Sequence, residues 1–294
     1  MNQGIFSFNS NSLVSMPYAF NAPNPAIIRV KFLIVAGGGG GTNGSSSAGG
    51  AAGGAGGYLE DVCYVSLGVN YPISVGAGAP RNSSRTIGSN SNFGQIIAIG
   101  GGQYDITYSS PIPGGSGASS SGVLRGLCIS NLQGNNGGLG YSNTIGGGGG
   151  GAGGVGSNAS AGVAGAGGVG RLSVTTLQPS YFAGGGGGGV TSGGVRGVGG
   201  SSVVGGITIG GNGGNGTIVA SDGGVNTGGG GGGGGASATP SLALGGNGGS
   251  GIVVLRFDSN YKINVGAGLS YTINSSGSEK ILTFTSGSDN VSFV

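Results

Sequence analysis

The chain has 294 residues, of which 81 are glycine, 17 are charged (10 basic, 7 acidic) and none is histidine, for a net charge of +3. Glycine at about four times its usual share of roughly 7% suggests disorder, but disordered chains are charged and poor in aliphatics, whereas 36% of this one is hydrophobic, so order is expected. Charge this sparse, with no Lys/Arg cluster, argues against a nucleic-acid partner, and the missing histidine removes Ser-His-Asp and Cys-His nucleophiles and most zinc sites.

In chain order, residues 1–26 end in "PYAFNAPNPA", whose three prolines favour extended backbone. They lack the basic start and unbroken apolar core of a signal peptide and read as an attachment arm. "IIRVKFLIVA" (27–36) follows, alternating at first and then continuously apolar, the pattern of a strand that becomes buried on both faces. It is far shorter than the ~20 residues of a membrane span, so no membrane insertion is expected.

Glycine runs dominate from there to 250, at 37–41, 146–151, 184–189 and 228–235. Between them lie the strand-like pieces "YLEDVCYVSL", "YPISV" and "QIIAIG", and after them "GIVVLRF". No stretch of useful length has helical periodicity, and glycine does not recur at every third residue as collagen requires. "YPISVGAG" (71–78) repeats as "YKINVGAG" (261–268), each putting Tyr, Ile and Val on one strand face before a Gly-Ala-Gly turn. "SYTIN", "EKILTFTS" and "NVSFV" then read as the short strands of a small β-meander or cap, 258–294.

The junction "FLIVAGGGGGT" admits several readings. A phosphate-binding P-loop needs Gly-Lys-Ser/Thr, and the only lysines are Lys31, Lys262 and Lys280. A dinucleotide fingerprint inside five glycines carries no information without a following helix. Calcium-binding glycine repeats need an Asp in every repeat, and Asp222 alone offers one. What remains is structural. Glycine can adopt a threefold helix of the polyproline II shape, rising about 3.1 Å per residue, and unlike proline it keeps its N–H for sideways bonds. Ordering it costs up to about 1 kcal/mol per residue more than alanine, which only a dense net of bonds worth about 1 kcal/mol each offsets. The expected fold is therefore free of α-helix: a bundle or sandwich of polyglycine II helices (27–257) with short β-strands, followed by the C-terminal β-meander.

Glu60 and Asp61 are the only adjacent carboxylates, and on a strand they point to opposite faces, where they read as two solvated charges. Cys63 and Cys128 each read as a small buried apolar residue rather than a bridge partner. The expectation is no enzyme, no metal and no cofactor.

"VKFLIVAGGGGGT", "GGAGGY", "YPISVGAGA", "SNFGQIIAIGGG", "GGGGGGAGG", "YFAGGGGGG", "NTGGGGGGGG" and "GGNGGSGIVVLRF" occur in that order. The series resembles the glycine-rich domain of tail-fibre and other structural proteins of phages and large viruses. More distantly it is similar to the glycine-rich region of the anaplastic lymphoma kinase receptor ectodomain. The resemblance implies a virion protein, at a surface fibre or in the capsid. One reading is an adhesin whose rigid bundle presents binding loops to a host-cell surface glycan or protein. Tyr104, Asp105 and Tyr108 in "QYDITYSSPIP", and Arg125, Asn131 and Asn135 in "LRGLCISNLQGNN", are the candidates, since binding residues sit on loops held by rigid scaffolds. For Tyr104 and Tyr108 contact with a receptor and packing on the bundle both stand. Tyr181 and Phe182 read as packing residues. The other reading is a minor capsid or fibre component without a receptor of its own, docked to other virion proteins through 1–26 and 258–294. A silk-like matrix protein is a third, and a homo-oligomer is open in each.

Overall fold

In the computed structural model, which describes residues 27–82, 86–105, 110–120, 122, 124–201 and 209–294, the first strand is β1 (Ile27–Val35). Its two-part pattern is used as the sequence predicts. Ile28, Val30, Phe32 and Ile34 enter one apolar core, while Leu33 and Val35 enter a second on the opposite face. Arg29 is exposed in the alternating half.

β2 (Tyr58–Ser66) and β10 (Ile252–Asp258) flank β1, both antiparallel, with Ile34 opposite Leu59 on one side and Val253 on the other. The sheet continues from β10 through β13 (Glu279–Phe293), β3 (Asn70–Ser74), β4 (Ser91–Phe93) and β5 (Ile96–Ala98). β11 (Ile263–Val265) and β12 (Leu269–Ser276) pair with β13, and every pairing in this nine-stranded sheet is antiparallel. No α-helix occurs among the described residues; the one helical turn is 3-10, Pro240–Leu242.

The segment expected as a separate meander or cap lies inside this sheet. "EKILTFTS" and "NVSFV" form one strand of 15 residues, not two. The first half of β13 lies between β10 and β12, and the second between β3 and β11. Gly287, read as a break, sits at the changeover with φ +99°, a backbone that side-chain-bearing residues rarely adopt. The two copies of the repeat flank the second half: Tyr71 of β3 and Val265 of β11 both lie opposite Val291. Phe257 and Phe293 meet edge to face at 5.0 Å inside the first core. Across the sheet surface, Glu279 joins Lys31 (2.9 Å) and Arg256 (2.6 Å).

The glycine runs extend the same chains. Residues 36–44 follow β1, 48–57 lead into β2, and 243–251 lead into β10. The neighbours of β1 therefore stay neighbours past its end, but the bonding period changes from two residues to three. Ala36, Gly39 and Thr42 donate to the carbonyls of Gly57, Gly54 and Ala51 (3.0, 2.8 and 2.9 Å). Gly38, Gly41 and Gly44 donate the other way, to Gly249, Gly246 and Ala243 (2.9, 2.9 and 2.7 Å). Deeper in, Gly50, Gly53 and Gly56 donate to Gly234, Gly231 and Gly228, while Gly230, Gly233 and Ala236 donate to Gly184, Gly187 and Val190. A period of three is what a backbone with three residues per turn imposes, each face addressing a different neighbour. The runs stand at backbone distance: a Cβ on Gly39 would overlap the Gly102 carbonyl, and one on Gly189 the Gly234 carbonyl.

Candidate functional site

The outer layer of the bundle carries the candidate residues. The chain leaves the run at 99–103 into β6 (Tyr104–Asp105) and returns by β7 (Ser110–Pro111), with Tyr104 opposite Pro111 and Asp105 opposite Ser110. Tyr104 is half-buried at the base of this hairpin. Tyr108 lies outside the described residues.

Segment 124–137 is bonded along the neighbouring runs. Gly126 N donates to Ala118 O (3.0 Å), Ile129 N to Gly114 O (2.8 Å) and Gly137 N back to Gly126 O (3.0 Å). Gln133 clamps the segment to β5 and β2: its amide nitrogen donates to Ile97 O (3.1 Å), its amide oxygen accepts from Ile99 N (2.9 Å), and its carbonyl accepts from Tyr58 N (2.9 Å). On this anchored backbone Arg125 and Asn131 are exposed, and the Cys128 thiol donates to Asn131 Oδ1 (3.0 Å). Asn135 is engaged differently. Its amide nitrogen donates to Gly151 O (2.8 Å) and Ala152 O (3.2 Å), so it is a cross-link to the run at 146–152.

Four aliphatic side chains that sequence reasoning did not single out stand beside them. Leu124 (58%), Leu127 (54%), Ile129 (55%) and Leu132 (79%) are exposed within nine residues, and Ile97 (48%) is exposed on the strand that Gln133 holds. Scattered apolar side chains on a surface mean little; these four stand out because they fall within one segment of nine residues. Their spacing of three, two and three fits no single strand or helix face, which is the signal that could have found them.

The two members of the Glu60–Asp61 pair have different surroundings. Asp61 is exposed, as a solvated charge should be, but Glu60 is half-buried and its carboxylate is enclosed. It accepts from Thr175 Oγ1 (2.6 Å), Ser173 Oγ (2.7 Å), Thr175 N (3.1 Å) and the Tyr58 hydroxyl. Burial alone would push its carboxyl up, but the bonds from Thr175, Tyr58 and Ser173 outweigh it and hold the pKa below the ordinary value. Burial first, then Glu60, keeps the Tyr58 hydroxyl protonated far above the usual phenol range. The Arg171 guanidinium lies 5.2 Å from the centre of the Tyr58 ring. The donors come from β8 (Arg171–Ser173) and the loop to β9 (Ser180–Phe182), so the knot fastens this hairpin to β2. Phe182 is buried in the second core, as its packing reading requires. Cys63 and Cys128 are both free thiols; Cys63 is buried and Cys128 half-buried.

The sequence that builds these junctions corresponds to a known family: the model of the "Glycine-rich domain" matches residues 15–258. The chain belongs to the glycine-rich domain family. No curated protein and no solved structure matches it. The glycine-rich domain match ends with β10, so β11 to β13, which complete the sheet, lie beyond it. Both candidate segments fall within the glycine-rich domain. No helix among the described residues is long and apolar enough to cross a membrane.

Proposed function

We propose that this glycine-rich domain protein is a non-enzymatic virion structural protein, a surface-fibre adhesin that presents segment 124–136, together with Tyr104, to a host-cell surface molecule. The observation that carries the reading is the exposure of Leu124, Leu127, Ile129 and Leu132 on a backbone bonded to the bundle at both ends. A segment fixed this way loses little conformational entropy on binding, which favours affinity. Aliphatic side chains rimmed by Arg125 and Asn131 suit a protein receptor, since interfaces combine an apolar centre with a polar rim. The resemblance to viral fibre proteins supplies the setting. The enclosure of Glu60 by Thr175, Ser173 and Tyr58 supports a structural role for the one buried carboxylate of that pair.

The second reading, a minor capsid or fibre component with no receptor of its own, draws on the same patch, because an apolar surface also suits another virion protein. One experiment separates them. Particles carrying Leu127→Ser with Leu132→Ser are expected to assemble normally and to lose host-cell attachment. Disrupted or unassembled particles would favour the structural reading, and unchanged attachment would remove the patch from the receptor site.

A further inference from the structure

We propose that the chain pairs with a second copy of itself along the free edge of β12, continuing the sheet across a twofold axis. The sheet has two long edges, and they are treated in opposite ways. Along β2 three of the outward donors are occupied: Tyr58 N by Gln133 O (2.9 Å), Val62 N by Asp61 Oδ1 (2.8 Å) and Ser66 N by the Tyr71 hydroxyl (2.7 Å). That strand also carries Glu60 and Asp61. Charges and blocked donors are the means by which sheets keep other strands off their edges. β12 has neither. From Ile263 to Ser276 there is no charged residue and no proline, and β12 pairs with β13 alone. Apart from the turn bond from Leu269 N to Gly266 O, no other backbone partner of β12 is seen among the described residues.

The first core runs out to this edge. Leu269 is buried in it, Tyr271 lies opposite Phe284, and Ile273 lies opposite Leu282. Phe284 and Leu282 are fully buried, yet Tyr271 is 41% and Ile273 53% exposed. The apolar face therefore stops at two uncovered side chains beside an unpaired backbone. The strand complements itself. With Thr272 of one copy opposite Thr272 of the other, antiparallel pairing sets Tyr271 against Ile273 twice and Ser270 against Asn274 twice. Aromatic with β-branched, and hydroxyl with hydroxyl, are the cross-strand pairs that stabilise sheets. A slip of one residue would lay the apolar face of one copy on the polar face of the other, so odd-numbered residues stay opposite odd-numbered ones, and Tyr271 against Ile273 favours the register centred on Thr272. Because the contact is the same patch on both copies, it closes at a dimer rather than growing into a filament. The pairing does not depend on the receptor reading.

Sedimentation of the full chain, up to roughly 100 µM because one strand pair buries less than the ~800 Å² per partner of a standard interface, is expected to give the mass of a dimer. Tyr271→Lys with Ile273→Lys is expected to give a monomer that still unfolds in one cooperative transition. In a Cys128→Ser background, Thr272→Cys is expected to form a disulfide-linked dimer on mild oxidation, since facing Cα atoms in an antiparallel pair lie about 4.5–5.5 Å apart. Ile273→Cys is expected to form no disulfide-linked dimer under the same treatment. A monomer at every concentration, a dimer that survives the lysine pair, or cross-linking at 273 and not at 272 would overturn the proposal. So would a chain that dimerises only after removal of residues 1–26, which would assign the edge to that segment.

Discussion

Gly53 stands where several runs meet. Its N–H donates to Gly231 O (2.9 Å), its carbonyl accepts from Gly186 N (3.0 Å), and a Cβ there would overlap the Gly39 carbonyl oxygen. All the obstructing atoms are backbone, so no rotamer change can relieve the clash. Gly53→Ala is expected to lower stability by about 3 kcal/mol or more, the upper range for overpacking, or to prevent folding. Gly154 is the contrast. The nearest atom to a Cβ there is Val169 Cγ2 at 3.2 Å, a side chain that can shift. Gly154→Ala is expected to stay within about 1 kcal/mol of the parent, because alanine also reduces the freedom of the unfolded chain. Urea denaturation of the two variants side by side checks both, and a normally melting Gly53→Ala protein would remove the tight-bundle account. The sequence identifies both as glycine and cannot tell them apart, because the difference lies in which carbonyl approaches from a distant run.

At the scale of elements, one carboxylate fastens the β8 side of the β8–β9 hairpin to β2, while Phe182 holds the β9 side in the second core. Glu60 titrates below its ordinary value in the folded chain, so its contribution to stability is complete above the unfolded pKa of about 4.3 and is lost as pH falls through the folded pKa. Glu279 is shifted down by its bond from Lys31, with Arg256 adding to it, and Asp289 by backbone bonds from Gly268 and Asn290. All three act in the same direction, and the chain is expected to weaken on acidification. Glu60→Gln is expected to cost about 1–3 kcal/mol at neutral pH through lost charged hydrogen bonds. It should also flatten the acid limb of a plot of urea midpoint against pH; a variant with the parent's slope would show that the knot contributes nothing there. β1 was legible in advance, because "IIRVKFLIVA" writes one-sided and then two-sided burial directly into residue order. The knot was not, since Glu60 and its donors Ser173 and Thr175 are more than a hundred positions apart. The exposed leucines of 124–132 were hidden for a related reason: an aliphatic residue in a sequence reads as core until its neighbours are known.

Considered whole, the molecule is one continuous assembly in which three segments of the chain run side by side, as strands at one end and as glycine runs at the other. Among the described residues, side chains fill two cores where the spacing is that of a sheet, and backbone bonds largely replace them where the segments close to glycine distance, with Ile145, Ala164 and Val190 forming one small cluster there. β13 ties this assembly together from beyond the family match, and Leu282, Phe284, Val291 and Phe293 place it in the first core. A chain ending at Asp258 would remove it from between β10 and β3 and expose those side chains' partners. Truncation there is expected to abolish cooperative thermal unfolding; a shortened protein that melts like the parent would make 259–294 a dispensable cap.

The sequence by itself determined the absence of helical pattern, the opening strand, the strand-like pieces and the structural use of glycine, because each depends on local chemistry: period, side-chain volume and which residue types are missing. Only the tertiary structure decided that β13 joins two halves of one sheet, that Asn135 is tied to the run at 146–152 while Leu132 faces water, and that β2 carries blocked donors and charge along its edge while β12 carries neither. Those outcomes depend on which distant backbone comes within hydrogen-bond reach, and nearly identical glycine runs carry no local mark of their partners.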